Sequence, residues 1–161
     1  MNEQATEMPK PKLIGTKTDI SYTERQAVRL LISNGKNEII IIHAQRDSYY
    51  KLPGGGIEVD ENHHLAGERE AMEETGCKVQ VHGSCMATTE EWRNDLHQIS
   101  YCYRARLLED TGAPELTDDE VADGLRHEWV SVEVARGKMK ECRPTSELGA
   151  FIKERDLYFV E

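Results

Sequence analysis

The segment 53–76 constrains the fold most, because it predicts a tight glycine loop followed by a helix whose two ends are both marked. Pro53 and three glycines form the loop at 53–56. Asn62 is a favourable N-cap residue, and Gly76 suits the left-handed conformation that ends many helices. We therefore predict a loop at 53–56 and a helix over 62–75.

Three glutamates of this helix, Glu70, Glu73 and Glu74, share one face, because residues three and four apart lie about 5–6 Å from each other. Like charges at this spacing cost about 0.2–0.5 kcal/mol, and acidic groups in the last turn oppose the helix dipole by about 0.3–1 kcal/mol each. A divalent cation would reverse the repulsion, and carboxylate oxygens suit Mg²⁺ or Mn²⁺. The charge pattern alone leaves two hypotheses, a solvated acidic face and a metal site.

The complete string resembles the Nudix box, Gly-x5-Glu-x7-Arg-Glu-U-x-Glu-Glu-x-Gly-U, in which U is apolar. Gly55 and Glu61 supply the first two fixed positions, and 69–77 supplies the rest as REAMEETGC. All fixed glycines, glutamates and the arginine match. The chain is therefore identified as a member of the MutT-like Nudix hydrolases.

Two positions depart from the usual family sequence. Asp60 stands where the family usually has glycine, and Gly67 lies inside the helix where alanine is more usual. A glycine inside a helix costs about 1 kcal/mol relative to alanine unless close packing needs the missing methyl. Neither residue is an expected metal ligand.

The resemblance implies an α/β fold, an α/β/α sandwich around a mixed β-sheet. It also implies metal-dependent attack of water on a phosphorus of a nucleoside diphosphate that is linked to another group. Glu70 and Glu74 would be the principal ligands of Mg²⁺ or Mn²⁺, with Glu73 as a further ligand. Gly55 would lie in the loop that approaches the metal, and Arg69 would orient the carboxylates.

The general base has several candidates. In some family members an acidic residue in a later loop, before a strand with an aromatic residue, binds metal or activates water. The distance in sequence before Trp129 favours Asp123 as the base, with Glu120 as the second choice and a box glutamate as the third. A solvated acidic loop is the alternative interpretation.

Four residues are candidates for substrate binding. Tyr50 and Lys51 precede the glycine loop and could border a substrate, while Trp92 and Asn94 could stack on or hydrogen-bond a nucleobase. The alternative is that these aromatic side chains only pack beneath loops. The hypothesis is a small nucleotide substrate, such as an oxidised purine nucleoside triphosphate. A Nudix nucleotide-binding module or sensor without turnover is the competing hypothesis.

Composition narrows the remaining possibilities. The 161 residues fit one domain, and the net charge of −10, without a run of Lys or Arg, argues against duplex nucleic acid as a partner. The four cysteines lack a CxxC spacing and are interpreted as reduced thiols. The sequence has no stretch of about 18 apolar residues, so no membrane span is predicted. We therefore expect a cytoplasmic protein, as a monomer or homodimer.

The pattern of apolar residues predicts the element order. Residues 1–20 are predicted to form a flexible lead-in, or alternatively to close over the site or serve a dimer, and 21–161 to form a single Nudix domain. Strands and then helices are predicted along this domain. The strands are 27–33, 38–44 (after an Asn34-Gly35 turn), 49–52, 79–86, 99–108 (with 92–96 as their connection) and 126–132; a short helix ends near Gly137 and a last helix follows Thr145.

Overall fold

In the computed structural model, which describes residues 8–161, the chain forms a mixed sheet of eight strands. The sheet order is β1-β6-β7-β2-β3-β4, with β5 paired to β2 and β8 paired to β3. The strands are β1 (Lys12–Ile14), β2 (Thr23–Ser33), β3 (Glu38–Ala44), β4 (Tyr49–Lys51), β5 (Gly54–Gly56), β6 (Cys77–Arg93), β7 (Leu96–Asp110) and β8 (Leu125–Ser131). The helices are α1 (His63–Thr75), α2 (Asp118–Ala122), α3 (Val132–Glu141) and α4 (Glu147–Val160).

The sheet combines parallel and antiparallel pairs and carries helices on both faces. β2 runs parallel to β7 and β1 runs parallel to β6, while the other pairs are antiparallel. Leu30 and Ile40 pack with α1 residues on one face. Ile39 and Ile41 pack with residues of α3 and α4 on the other. The predicted α/β/α sandwich around a mixed sheet is therefore confirmed.

Helix α1 begins and ends where the sequence predicts. The side chain of Asn62 accepts a hydrogen bond from the Leu65 amide at 2.8 Å. Gly76 has a φ of 70° and donates its N–H to Met72 O. Local capping chemistry therefore fixes both ends of the helix.

The structure explains both departures from the family sequence. A Cβ on Gly67 would lie 3.0 Å from Leu30 Cδ2 and 3.2 Å from Val81 Cγ2, which is tighter than an ordinary contact, so the glycine lets the helix approach the sheet closely. Asp60 is exposed and has a φ of 63°, a conformation that favours glycine and that aspartate tolerates better than most residues. Local geometry therefore accounts for both residues.

The N-terminal segment differs from the predicted flexible lead-in. Lys12–Ile14 form a strand whose Lys12 pairs with Thr89, and Ile14 is buried. The Thr88 hydroxyl donates to Pro9 O at 2.8 Å. Three residues are too few to show a period in the sequence, so only the pairing with β6 reveals this strand. Residues 1–7 of the predicted lead-in lie outside the described residues.

Other element boundaries also differ from the sequence prediction. β6 and β7 extend to Arg93 and Leu96, so the predicted connection at 92–96 is only a two-residue turn, with Asn94 at a φ of 55°. α3 starts after its N-cap Ser131, as predicted, but continues to Glu141. Within residues 8–161, no helix is both long and apolar enough to cross a membrane.

Candidate active site

One cavity joins the glycine loop, the acidic face of α1 and the start of α2. It lies beside the middle of β2, where residues 27–29 pair with the glycine strand β5. Both carboxylates and cations line this cavity. Its lining residues are Arg25, Arg29, Lys51, Gly54, Gly55, Gly56, Glu70, Glu73, Glu74, Thr117 and Glu120.

Arg69 connects the acidic residues of α1 to the loop before it. Its Nε and Nη2 donate to the two carboxylate oxygens of Glu61, at 2.8 and 2.9 Å. Its Nη1 donates to Glu70 at 3.0 Å and to Glu73 at 3.4 Å, and Nη2 also donates to Gly56 O at 3.1 Å. These bonds raise the pKa of Arg69, and the bonds from Arg69 lower that of Glu61. Arg69 thus lies where the resemblance expects an orienting residue.

Glu74 is the most buried carboxylate of the cavity, with 4% of its surface exposed. One oxygen accepts the Gly54 amide at 2.7 Å, and the other accepts Lys51 Nζ at 3.2 Å. Burial raises the pKa of Glu74, and burial followed by the charge of Glu74 raises the pKa of Glu70. Both shifts have the direction expected when burial, and for Glu70 also a neighbouring carboxylate, disfavours the ionised form.

Side chains at Gly54 or Gly55 would crowd neighbouring atoms. A Cβ on Gly55 would lie 2.6 Å from the carboxyl carbon of Glu70. A Cβ on Gly54, whose φ is 148°, would lie 1.9 Å from Val28 O. The loop backbone therefore packs directly against a carboxylate of α1 and against β2.

The donor set of the cavity fits a hard divalent ion. Carboxylates of Glu70, Glu73, Glu74 and Glu120 surround the glycine backbone, and oxygen donors of this kind suit Mg²⁺ and Mn²⁺. In the described part of the chain, no three acidic, histidine or cysteine side chains converge closely enough to chelate an ion. Instead, Glu70 accepts a hydrogen bond from Arg69, and Glu74 accepts one from Lys51. Cationic partners therefore hold these carboxylates beside the glycine loop.

The structure brings Glu120 rather than Asp123 to the cavity. Asp123 caps the C-terminal end of α2, and its carboxylate lies 2.6 Å from Arg46 Nη2. Glu120 lines the cavity, and one of its oxygens accepts the Thr117 amide at 3.0 Å in a capping box. The spacing from Trp129 favoured Asp123, whereas the structure brings Glu120 to the cavity on the short helix α2, which was not predicted.

The loop before α2 is attached to the C-terminal end of α1. The Glu115 amide donates to Glu73 O at 2.7 Å, and the Thr111 amide donates to Gly76 O at 2.9 Å. These carbonyls are among those that the end of a helix leaves without partners. The attachment holds the segment before α2 against the C-terminal end of α1.

Only Lys51 of the four expected substrate-binding residues lies in the cavity. Tyr50 points to the opposite face, because successive residues of a strand alternate, and its ring stacks on His43 at 4.3 Å. Trp92 stacks on His97 at 5.3 Å, and Asn94 forms the hairpin turn beside it. The prediction for Tyr50, Trp92 and Asn94 is thus not supported by their positions.

Two arginines of β2 were missed by sequence reasoning. Arg29 is 5% exposed, and its Nε and Nη1 are buried without a hydrogen-bond partner among the described residues. Burial, and then the charge of Arg155, lower the pKa of Arg29 to about 10. Arg25, which is more exposed, donates from Nη1 to Gln98 at 2.6 Å. An arginine inside the apolar run AVRLLIS was the signal that could have identified this side of the site.

Curated relatives share most of the chain. Diphosphoinositol polyphosphate phosphohydrolase 3-beta of Bos taurus and 3-alpha of Homo sapiens are each 29% identical over 134 residues, which cover 83% of this chain and 78% of each relative. Diphosphoinositol polyphosphate phosphohydrolase 2 of Rattus norvegicus is also 29% identical over 134 residues, covering 83% of this chain and 71% of the relative.

Solved structures share the fold. The MutT protein from Methanosarcina mazei Go1 matches with a TM-score of 0.61 and 20% identity, over 88% of this chain and 96% of that protein. The E. coli ORF135 protein matches with a TM-score of 0.59 and 19% identity, over 86% and 91% of the two chains. The model of the NUDIX domain matches residues 23–146. The chain therefore belongs to the Nudix family, as a Nudix hydrolase that acts on phosphoanhydrides.

Proposed function

We propose that this protein uses a divalent metal ion, Mg²⁺ or Mn²⁺, to hydrolyse a small molecule that carries a diphosphate and further phosphates. Cleavage of the phosphoanhydride gives two phosphate-containing products. The cavity carries this proposal, because metal-binding carboxylates on α1 face Arg25, Arg29 and Lys51 across it. Carboxylates would hold the metal, and the three cations would hold phosphate oxygens.

Arg29 supports a substrate with more than one phosphate group. A buried guanidinium with two unpartnered nitrogens is costly, since each unsatisfied buried donor costs about 1–3 kcal/mol. A phosphate beside the metal-bound diphosphate would compensate this charge. The named substrates of the curated relatives, diphosphoinositol polyphosphates, have this character. We therefore propose a polyol phosphate that carries a diphosphate group as the first substrate class.

A nucleoside triphosphate, such as an oxidised purine nucleotide, is the second substrate class. It shares the phosphoanhydride and therefore suits the same carboxylates. However, none of the residues that line the cavity within 8–161 is aromatic, because Tyr50 and Trp92 lie elsewhere. Base stacking thus lacks a partner in the cavity, and the structure gives this class less support than the first.

The positions of the residues support the following roles. The metal ion, when bound, supplies charge neutralisation and a more acidic bound water. Arg69 orients Glu70 and Glu73, and the Gly54 amide and Lys51 orient Glu74. Arg25 and Arg29 neutralise charge on the phosphates, which is the main requirement of phosphoryl transfer. Glu120, partly exposed over the cavity, is the proposed acceptor of the water proton, in place of Asp123.

A substrate panel tests this proposal. Purified protein is incubated with Mg²⁺ or Mn²⁺ and a diphosphoinositol polyphosphate, ATP, an oxidised guanosine triphosphate or ADP-ribose, while release of phosphate and pyrophosphate is measured. We expect the highest kcat/KM for the diphosphoinositol polyphosphate.

The variant Glu74→Gln is the matched control, and we expect it to fold with turnover lowered at least tenfold, because it loses a proposed metal ligand. Wild-type turnover by Glu74→Gln would contradict the assignment of this ligand. Thermal stabilisation of the wild-type protein by these compounds without any product would favour the alternative, a binding module or sensor.

A further inference from the structure

The C-terminal helix α4 carries a buried carboxylate that contacts the segment leading into the glycine loop. Asp156 is 0% exposed, and its Oδ2 accepts the backbone N–H of Leu52 at 2.9 Å. Leu52 is itself fully buried and precedes Gly54 by two residues. The proposed hydrolysis assigns no role to Asp156, and the sequence did not indicate one.

Asp156 is ionised and held in place by arginine. Arg155, which is 3% exposed, donates from Nε to Asp156 Oδ1 at 2.7 Å and from Nη2 to Oδ2 at 3.2 Å. Burial raises the pKa of Asp156, but the charges of Arg155 and Arg29 and the Leu52 amide outweigh this effect and keep the pKa below its usual value. A hydrogen bond to an ionised acceptor is about twice as strong as a neutral one. The contact with Leu52 is therefore a strong anchor.

The same short segment is bound from the opposite side by α1. The Gly54 amide donates to Glu74 at 2.7 Å, and Lys51 donates to the other oxygen of Glu74 at 3.2 Å. Between these residues, Pro53 O accepts the Leu30 amide at 2.9 Å. Carboxylates of two helices thus bind alternate amides of 52–54, while β2 binds the carbonyl between them.

This arrangement couples α4 to a proposed metal ligand. If the bond to Leu52 is lost, the segment keeps its attachments to β2 and α1 but can shift toward the cavity. The Gly54 amide, which orients Glu74, would move with it. Arg29 also interacts electrostatically with both Asp156 and Glu74. Removal of the Asp156 charge therefore changes the electrostatic environment of Glu74.

We propose that Asp156 is a positioning residue that sets the glycine loop against α1, and so sets the geometry with which Glu74 binds metal. This inference rests on the proposed metal dependence of the site. Partners that orient metal ligands typically contribute about 10–100-fold to metal affinity. The effect of Asp156 is therefore measurable without any substrate.

The test compares Asp156→Ala, Asp156→Asn and Glu154→Ala, the last being an exposed position of the same helix. The dissociation constant of Mn²⁺ is measured by electron paramagnetic resonance on protein whose folding is verified by near-ultraviolet circular dichroism. Hydrogen exchange of the Leu52 and Gly54 amides is followed in parallel. We expect Asp156→Ala to weaken Mn²⁺ binding about tenfold or more and to accelerate exchange at both amides.

Asp156→Asn keeps an acceptor but loses the charge, so we expect a smaller loss, of about threefold. The control should bind Mn²⁺ as the wild type does. A folded Asp156→Ala with wild-type Mn²⁺ affinity would show that Asp156 only stabilises the fold. If that variant does not fold, Asp156→Asn decides, and unchanged Mn²⁺ affinity in it overturns the proposal.

Failure of this inference is distinguishable from failure of the proposed function. In the first case the wild-type protein binds Mn²⁺ and turns over substrate, but the Asp156 variants bind Mn²⁺ normally. In the second case the wild-type protein itself shows no turnover. A wild-type protein that binds no Mn²⁺ would overturn the metal site before any variant is compared.

Discussion

Replacing Gly76 by alanine should destabilise the fold and disturb the site, for two separable reasons. Gly76 has a φ of 70°, and a left-handed conformation costs an L-residue about 1–2 kcal/mol. In addition, the new Cβ would lie 2.7 Å from Ala113 N, 2.8 Å from Ala113 C and 2.9 Å from Pro114 N. These are backbone atoms, which cannot rotate away as a side chain can.

The expected magnitude is the sum of the two effects. Overpacking typically costs about 1–3 kcal/mol, so together with the left-handed conformation we expect a loss of about 2–5 kcal/mol in the free energy of unfolding. Gly83 provides a matched control, since it has a φ of 76° and a Cβ added there would meet no atom of residues 8–161 within 4 Å. Gly83→Ala should therefore show only the conformational cost, of about 1–2 kcal/mol.

The assay is urea denaturation of both variants, together with turnover of the best substrate. Because the displaced segment leads to Thr117 and Glu120, we expect Gly76→Ala to lower kcat in its folded state, while Gly83→Ala retains it. Equal stability losses in the two variants, within about 0.5 kcal/mol, would refute the packing of the 111–117 loop against α1. Unchanged kcat in Gly76→Ala would refute the role of that packing in placing Glu120.

Three further outcomes are expected. Asp60→Gly should change the free energy of unfolding by less than about 1 kcal/mol in urea denaturation, because relief of the φ of 63° is offset by the conformational entropy that glycine adds to the unfolded chain, and a larger change would contradict this. Arg29→Lys keeps the buried charge but loses the planar guanidinium group, so KM for a multiply phosphorylated substrate should rise about tenfold with little change in kcat. An unchanged KM would show that Arg29 does not bind substrate. Burial lowers the pKa of His97, but its bonds to Glu90 and Glu24 outweigh this effect and raise the pKa. The contribution of His97 to stability is therefore present below its unfolded pKa of about 6.5 and is lost as pH rises through its folded pKa. Urea denaturation across this range should show a pH dependence that His97→Gln reduces, and an identical pH profile in the variant would contradict it.

The sequence predicted those parts of the site that depend on short-range geometry. Asn62 and Gly76 mark the ends of α1 through capping chemistry, and the spacing of Glu70 and Glu74 places them on one face by helix periodicity alone. Each of these inferences needs only residues within one element and its flanks. The structure accordingly reproduces the predicted bounds of α1.

Parts of the site that depend on contacts between distant segments were not predictable in this way. Glu120 reaches the cavity because the Glu115 amide bonds to Glu73 O, a contact between segments that are far apart in the chain. Asp123 had the better sequence spacing but pairs with Arg46. Likewise, Tyr50 and Lys51 looked equivalent beside the glycine loop, and only strand alternation separates them.

The two faces of β2 explain why the cationic half of the site was hidden. Val28 and Leu30 alternate with Arg29 along this strand, so one face packs an apolar core under α1 while the other presents a guanidinium toward α4. A helix that covers such a face must carry polar groups inward, and α4 does so with Arg155 and Asp156, both buried. A buried charged pair in the last helix and a lone arginine in an apolar strand are therefore two signs of one site.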